Sequence, residues 1–233
     1  MSLSKIYDKN YFNGKTSNYK GGYKYEVYYP FHKAVAEGIF EIFKPRKILD
    51  VGCAMGYLVK AFQELGVDAY GIDISEYAIK NGVVRNLILG DATSIPFKDG
   101  SFDLVIALDL IEHLKNPEEF ISEVYRILKP NRYFVVKTCS PSSKDAKADP
   151  THVTILTEKE WETMFKRFNF VRLKNYEREI RRKIAYYYAR KEPTSLLGKV
   201  LNVVKVRRYA ILFKELYIQP RYDYYFVLRR ETR

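Results

Sequence analysis

Three aspartates, Asp50, Asp73 and Asp91, each fall at the end of a short apolar run, and a glycine-bearing segment follows the first of them, Asp50-Val51-Gly52-Cys53-Ala54-Met55-Gly56. Acids at strand ends beside a glycine loop are a nucleoside-binding arrangement. Gly52 allows a sharp turn and close approach of a ligand to the backbone, and Gly56 opens the following helix at its positive end. A carboxylate at Asp73, 21 residues past Gly52, is placed to take both ribose hydroxyls. Asp91 is placed to accept from an adenine amino group, with Ala92 offering a backbone N–H. The loop is not a dinucleotide-binding one, because Ala54 occupies the second glycine position and the third glycine is absent. A P-loop is excluded, since no Lys-Ser/Thr pair follows. For any one of these acids a cap or a turn is the plain alternative.

The elements that must hold these residues alternate. Lys47–Val51, Ala69–Asp73, Leu87–Leu89, Phe102–Leu108 and Tyr133–Thr138 read as strands, and Tyr57–Leu65, Glu76–Asn81 and the segment opened by Asn116-Pro117-Glu118-Glu119 read as helices. Thr157 and Glu160 form a capping box for a further helix that buries Trp161, Met164, Phe165 and Phe168. Alternation of this kind predicts a doubly wound, mostly parallel α/β sheet, with ligands outside the carboxyl ends of its strands. Residues 1–44 are expected to form an irregular arm through about residue 30 and then a helix ended by Pro45. Residues 45–180 form the cofactor-binding core, 181–220 a basic helical insert or lid, and 221–233 the last strand, all within a single domain. Phe170–Tyr176 and Tyr222–Leu228 are the expected final antiparallel strands.

The run Ile48–Leu58 resembles motif I of class I S-adenosylmethionine-dependent methyltransferases, Tyr70–Ser75 resembles motif II, Gly90–Leu114 the stretch covering motifs III and IV, and Leu128–Thr138 the later Leu-Lys-Pro segment and fifth strand. The resemblance covers roughly Pro45 to Phe170 and is nearest to the ubiquinone-biosynthesis type and related small-molecule enzymes. It implies a Rossmann-like, seven-stranded methyltransferase fold and S-adenosyl-L-methionine as cofactor, with S-adenosyl-L-homocysteine as product. It further implies a cofactor-binding set of Asp50, Gly52, Cys53, Ala54, Gly56, Tyr57, Asp73, Ile74, Asp91, Ala92 and Leu108. Gly52 and Gly56 would flank the methionine part and Leu108 would contact the cofactor through its backbone. Ala54 departs from the commoner glycine.

His113, in Asp109-Leu110-Ile111-Glu112-His113-Leu114, is the candidate general base, with Glu112 beside it. The alternative is that His113 only shapes the pocket. No metal is assigned, although Asp109, Glu112, His113 and His152 resemble the metal ligands of small-RNA 2′-O-methyltransferases, which carry Glu where this chain has Asp109. The segment around Cys139 is similar to the catalytic cysteine segment of RNA cytosine-5 methyltransferases, but the Pro-Cys pair that chemistry needs after the fourth strand is Leu108-Asp109-Leu110 here.

The net charge of +12 is uneven: 17 Lys and Arg face 6 acids from Val171 to Arg233, and the rest of the chain is nearly neutral. A basic tail suits an anionic membrane surface, or a nucleic acid as a further alternative, or plain solvation. Within the insert, Leu197, Val200, Leu201 and Val204 make an apolar stripe flanked by cations, as in an interfacial helix or a lid. No apolar run approaches a membrane span, and two cysteines without metal spacing fit a reducing cytoplasm. The expected activity is methyl transfer to a small-molecule or lipid-like acceptor, at oxygen. The alternatives are an RNA methyltransferase and a non-catalytic cofactor-binding protein.

Overall fold

The computed structural model describes residues 6–17, 19, 21–143, 146, 149–189 and 223–232. Seven strands form one sheet in the order β3-β2-β1-β4-β5-β7-β6. They are β1 Lys47–Val51, β2 Asp68–Asp73, β3 Leu87–Leu89, β4 Phe102–Leu108, β5 Leu128–Cys139, β6 Phe170–Arg172 and β7 Asp223–Arg230. β3 to β5 pair in parallel, and β7 runs antiparallel to both β5 and β6. The strand order reverses between β1 and β4, and the acids of β1 and β2 lie at the carboxyl side of that reversal, where open α/β sheets bind ligands.

Strands β1 and β4 are apolar except for Lys47, Asp50 and Asp103 because both sheet faces are covered. Leu104 and Ile106 of β4 join one core layer with helices α2 (Tyr25–Phe43) and α3 (Tyr57–Glu64). Val105 and Ala107 join the other with α5 (Pro117–Ile127) and α6 (Glu158–Arg167). Pro117 occupies the first turn of α5, and the Thr157–Glu160 capping box satisfies the Thr157 and Glu160 amides at the start of α6.

The N-terminal segment is more ordered than its composition predicts. Asp8 caps a short helix α1 (Lys9–Phe12) by accepting from the amides of Asn10 and Tyr11. Helix α2 begins at Tyr25, ahead of the expected Phe31, with Pro30 in its second turn. The rings of Tyr25 and Tyr29 stack at 4.5 Å along this first stretch, an aromatic face that carries no aliphatic period. A second difference follows β6. That strand stops at Arg172, the Leu173 amide bonds the Val227 carbonyl at 2.7 Å, and helix α7 spans Lys174–Ala189. Glu177, Ile180 and Ile184 form its buried face at helical spacing, so the strand expected through Tyr176 gives way to a helix. A Cβ at Gly38 of α2 would lie 3.2 Å from the Ile184 nitrogen, so the absence of a side chain there lets α2 and α7 meet. The boundary expected at residue 181 falls inside this packed helix. The remainder of the expected insert, with Leu197, Val200, Leu201 and Val204, lies outside the described residues. Helix α4 (Glu76–Lys80), capped by Ser75, completes the described helices that bear on the site.

Candidate active site

Asp73 organises the carboxyl end of the sheet. Its Oδ2 accepts from the Ala54 amide at 2.8 Å and its Oδ1 from the Ser75 amide at 2.8 Å. One carboxylate therefore holds both the loop after β1 and the start of α4. The loop it grips is left-handed at Gly52 (φ 76), Ala54 (φ 48) and Gly56 (φ 77). Ala54 is strained by this, since an L side chain resists that region. Gly56 has a second constraint: a Cβ would sit 2.8 Å from Leu87. Burial raises the Asp73 carboxyl above the usual carboxylate range, although its backbone donors pull the other way. Asp50 is pushed up to about 8 by burial and by Asp73. Two desolvated acids at adjacent strand ends suit a ligand that brings hydroxyl donors and positive charge.

Two cavities flank the loop. The first has a volume of about 100 Å3, and its wall includes Gly52, Ala54, Asp73, Ile74, Asp91, Ala92 and His113. The second has a volume of about 350 Å3, and its wall includes Asp50, Cys53, Leu108 and Lys137. Gly52, Ala54, Asp109 and Tyr19 belong to both. The fold thus brings together all the cofactor residues expected from sequence except Gly56 and Tyr57. Gly56 stands behind the loop against Leu87, while Tyr57 is buried, donates to the Tyr23 carbonyl at 3.1 Å and stacks on the Tyr23 ring at 4.9 Å. Asp91 lines the first cavity while its Oδ1 accepts from the amide and hydroxyl of Thr93.

The N-terminal arm supplies wall that the sequence reading did not assign residue by residue. Tyr7, Tyr11, Phe12 and Tyr19 line the first cavity. The Ser75 hydroxyl donates to the Tyr7 carbonyl at 2.5 Å, tying the arm to the sheet beside Asp73. The density of tyrosine and phenylalanine before residue 30 was the available signal.

Glu112 and His113 separate in placement. Glu112 is buried and lines neither cavity. Its carboxylate accepts from the Thr138 hydroxyl at 3.0 Å and the Cys139 amide at 3.3 Å, and its carbonyl accepts from Val153 and Thr154. It ties the end of β4 to the end of β5 and to the loop before α6. Burial and the nearby Asp109 push its carboxyl up to about 8. His113 faces the first cavity, with Nδ1 2.9 Å from the Thr151 hydroxyl and its ring 5.9 Å from that of Tyr7 and 4.6 Å from that of His152. Burial and His152 push it down to about 4, so the ring is neutral at pH 7.

The four residues weighed as metal ligands do not come together. Asp109, at φ 53, bonds Lys137, which also pairs with Asp223 at 3.3 Å. Among the described residues, Glu112, Cys139 and His152 instead bring their ligand atoms within 4.8 Å of one another. No helix among these residues is long and apolar enough to cross a membrane.

Residues 49–136 match the family model described as "Methyltransferase domain". The chain is 32% identical over 126 residues to norajmaline N-methyltransferase of Rauvolfia serpentina, covering 47% of this chain and 43% of that enzyme. It is 28% identical over 136 residues to 24-methylenesterol C-methyltransferase 2 of Arabidopsis thaliana, covering 54% and 38%. The chain therefore spans less than half the length of these two curated relatives. In fold it resembles a SAM dependent methyltransferase from Archaeoglobus fulgidus, with a TM-score of 0.60 at 21% identity over 94% of this chain and 98% of that one. The matched segment lies across the loop, the acids and the parallel strands that carry them, so residues 49–136 form a methyltransferase domain.

Proposed function

We propose that this protein transfers the methyl group of S-adenosylmethionine to a small-molecule or lipid-like acceptor, in the cleft between the sheet's carboxyl edge and the N-terminal arm. The observation that carries this reading is the pair of acids, buried Asp50 and half-buried Asp73, on either side of the Gly52 loop. In this reading Asp73 takes the ribose hydroxyls, Asp91 and Ala92 meet the adenine, and Leu108 meets the methionine part through its backbone. Gly52 and Ala54 let the ligand lie against the chain. When bound, the cofactor supplies an electrophilic methyl group on a cationic sulfur. The protein's share is orientation and exclusion of water, which can supply much of the rate. The arm tyrosines cover the cleft, His113 forms its acceptor-side wall, and Glu112 acts as a positioning residue that fixes the backbone carrying His113. A histidine held down to about 4 is a weak base. It favours an acceptor that brings its own lone pair over a hydroxyl that must first lose a proton.

Calorimetry with S-adenosylhomocysteine, followed by a labelled-methyl transfer assay on a metabolite extract, tests the proposal. Saturable cofactor binding together with a labelled small molecule is the expected result. Failure to bind the cofactor by folded protein would sink it.

A further inference from the structure

We propose that Thr151 and Asp149 are positioning residues that fix the His113 ring as its Nδ1–H tautomer, so that Nε2 carries the lone pair offered to the methyl acceptor. The inference rests on the methyltransferase reading, with His113 on the acceptor side, and deepens it: the acceptor is a group that brings an N–H or O–H hydrogen to that nitrogen.

The assignment follows from the hydrogens available. The Thr151 hydroxyl has one hydrogen to give and two lone pairs. Its oxygen lies 2.5 Å from Oδ1 of Asp149 and 2.9 Å from Nδ1 of His113. The Asp149 carboxylate only accepts, and the shorter, charge-assisted bond takes the hydrogen. The same Oδ1 accepts from the Thr151 amide at 2.9 Å, which holds the acid in place. The hydroxyl oxygen therefore faces Nδ1 as an acceptor, and Nδ1 donates. Its second lone pair is left for the Tyr7 hydroxyl, which also bonds the Thr151 side chain. A separate contact requires the same tautomer. The Thr151 carbonyl oxygen stands 3.3 Å from Nδ1, and a carbonyl only accepts. The opposite tautomer would set the Nδ1 lone pair against that carbonyl and draw the hydroxyl hydrogen away from Asp149.

The loop that carries Thr151 is pinned on both sides. The Val153 and Thr154 amides donate to the Glu112 carbonyl at 2.9 Å and 3.0 Å, and the Thr154 hydroxyl donates to the Leu114 carbonyl at 2.6 Å. The residues after Thr151 are thereby laced to the neighbours of His113 in the chain, and Asp149, itself buried, anchors the residues before it. The groups that face the ring are His152, with centroids 4.6 Å apart, Tyr7, at 5.9 Å, and the acids Asp149 and Asp109. The ring is neutral at pH 7 and so has a single hydrogen to place.

The other ring nitrogen, Nε2, has no hydrogen-bond partner among the described residues, and His113 lines the first cavity. A lone pair there accepts one hydrogen bond from an N–H or O–H of the acceptor and orients the atom that carries it. A carboxylate oxygen would instead set lone pair against lone pair. An alkene carbon would displace water from Nε2 and give no hydrogen bond in return. The contact asks for alignment and not for removal of a proton, which suits a ring held down to about 4.

Long-range proton–nitrogen NMR on the full chain, with isotope-labelled histidine and saturating S-adenosylhomocysteine, reads the tautomer directly. The chain has three histidines, so the signals that vanish in His113→Gln are its own. At pH 7 Nδ1 should be protonated and Nε2 bare. Asp149→Ala frees the Thr151 hydrogen for Nδ1 and should move the ring toward the Nε2–H form. Thr151→Val should give a mixture of tautomers, and Thr151→Ser, which keeps the hydroxyl, should restore the natural spectrum. With labelled cofactor and a metabolite extract, Thr151→Val should transfer methyl at least about tenfold more slowly at unchanged S-adenosylhomocysteine affinity, the cost of a misaligned acceptor. Thr151→Ser should recover most of that rate. The label should sit on nitrogen or oxygen and resist base. An Nε2–H ring in the natural protein, a tautomer unmoved by Thr151→Val, or label in base-labile methyl esters or on carbon would overturn the inference and leave the methyltransferase reading standing. Failure of the folded natural protein to bind S-adenosylhomocysteine would remove both.

Discussion

The Asp73 carboxylate lies 2.8 Å from the Ala54 amide, so the acid proposed to bind ribose also fastens the loop proposed to lie against the cofactor. Asp73→Ala should weaken S-adenosylhomocysteine binding by about 1.5–3 kcal/mol, the range for a hydrogen bond to a charged group. Asp73→Asn keeps one oxygen and should lose less. Calorimetry on both variants checks the ordering, and equal affinity in all three folded proteins would remove the assignment.

Ala54 sits at φ 48, where its Cβ crowds the backbone. Glycine relieves that strain but gives the unfolded chain more freedom, so the two effects partly cancel. Ala54→Gly should therefore raise stability by up to about 1 kcal/mol in a urea titration. A decrease would show that the methyl group, 9% exposed, contributes more by packing than the strain costs.

His113 gives a pH signature with a definite sign. Its folded value is about 4, below the value near 6.5 of an unfolded chain. Between those values the unfolded state binds more protons, so stability is lost as pH falls from about 6.5 to about 4 and levels off below. Glu112 and Asp50, raised to about 8, act in the opposite direction as pH rises from the carboxylate range. The informative quantity is thus the difference between the natural protein and His113→Gln. That difference should change by roughly 3 kcal/mol at most over the acid window. A flat difference between pH 7 and pH 4 would show that the ring is not held neutral.

The arm should respond to the cofactor. Tyr7, Tyr11, Phe12 and Tyr19 form wall of the first cavity, and Ser75 fixes the Tyr7 carbonyl. Hydrogen exchange in the arm, from Tyr7 to Tyr29, should slow when S-adenosylhomocysteine binds. Removing residues up to Lys24 should weaken cofactor binding about tenfold or more, the cost of opening the site to water. Exchange rates unchanged on binding would argue for a static wall.

The sheet was legible because its strands are continuous apolar runs punctuated by Gly52, Asp73 and Pro117, and the α6 start because Thr157 and Glu160 sit three apart. The proposed cofactor side of the site was legible for the same reason: each acid lies at or just past the end of a strand. The arm was not, because ring stacking such as Tyr25 on Tyr29 orders it, and stacked tyrosines leave no aliphatic period to read. Helix α7 was hidden by alternation in Phe170–Tyr176, which suits a strand until the Leu173 amide returns to Val227. The role of Glu112 depends on Thr138 and Cys139, 26 and 27 residues away, which only the folded pairing of β4 with β5 brings near.

Strand β7 lies between β5 and β6, hydrogen-bonded to both, although it follows them in the chain. During synthesis on the ribosome, β5 and β6 therefore emerge with no partner for their facing edges until residues 223–230 leave the exit tunnel. Unpaired edges of that kind invite association with other chains. A nascent chain stalled before Asp223 would hold the acids and the glycine loop but lack the strand that closes the sheet. Asp223 itself arrives with that last strand, so its ion pair with Lys137 of β5 forms only as the sheet is sealed.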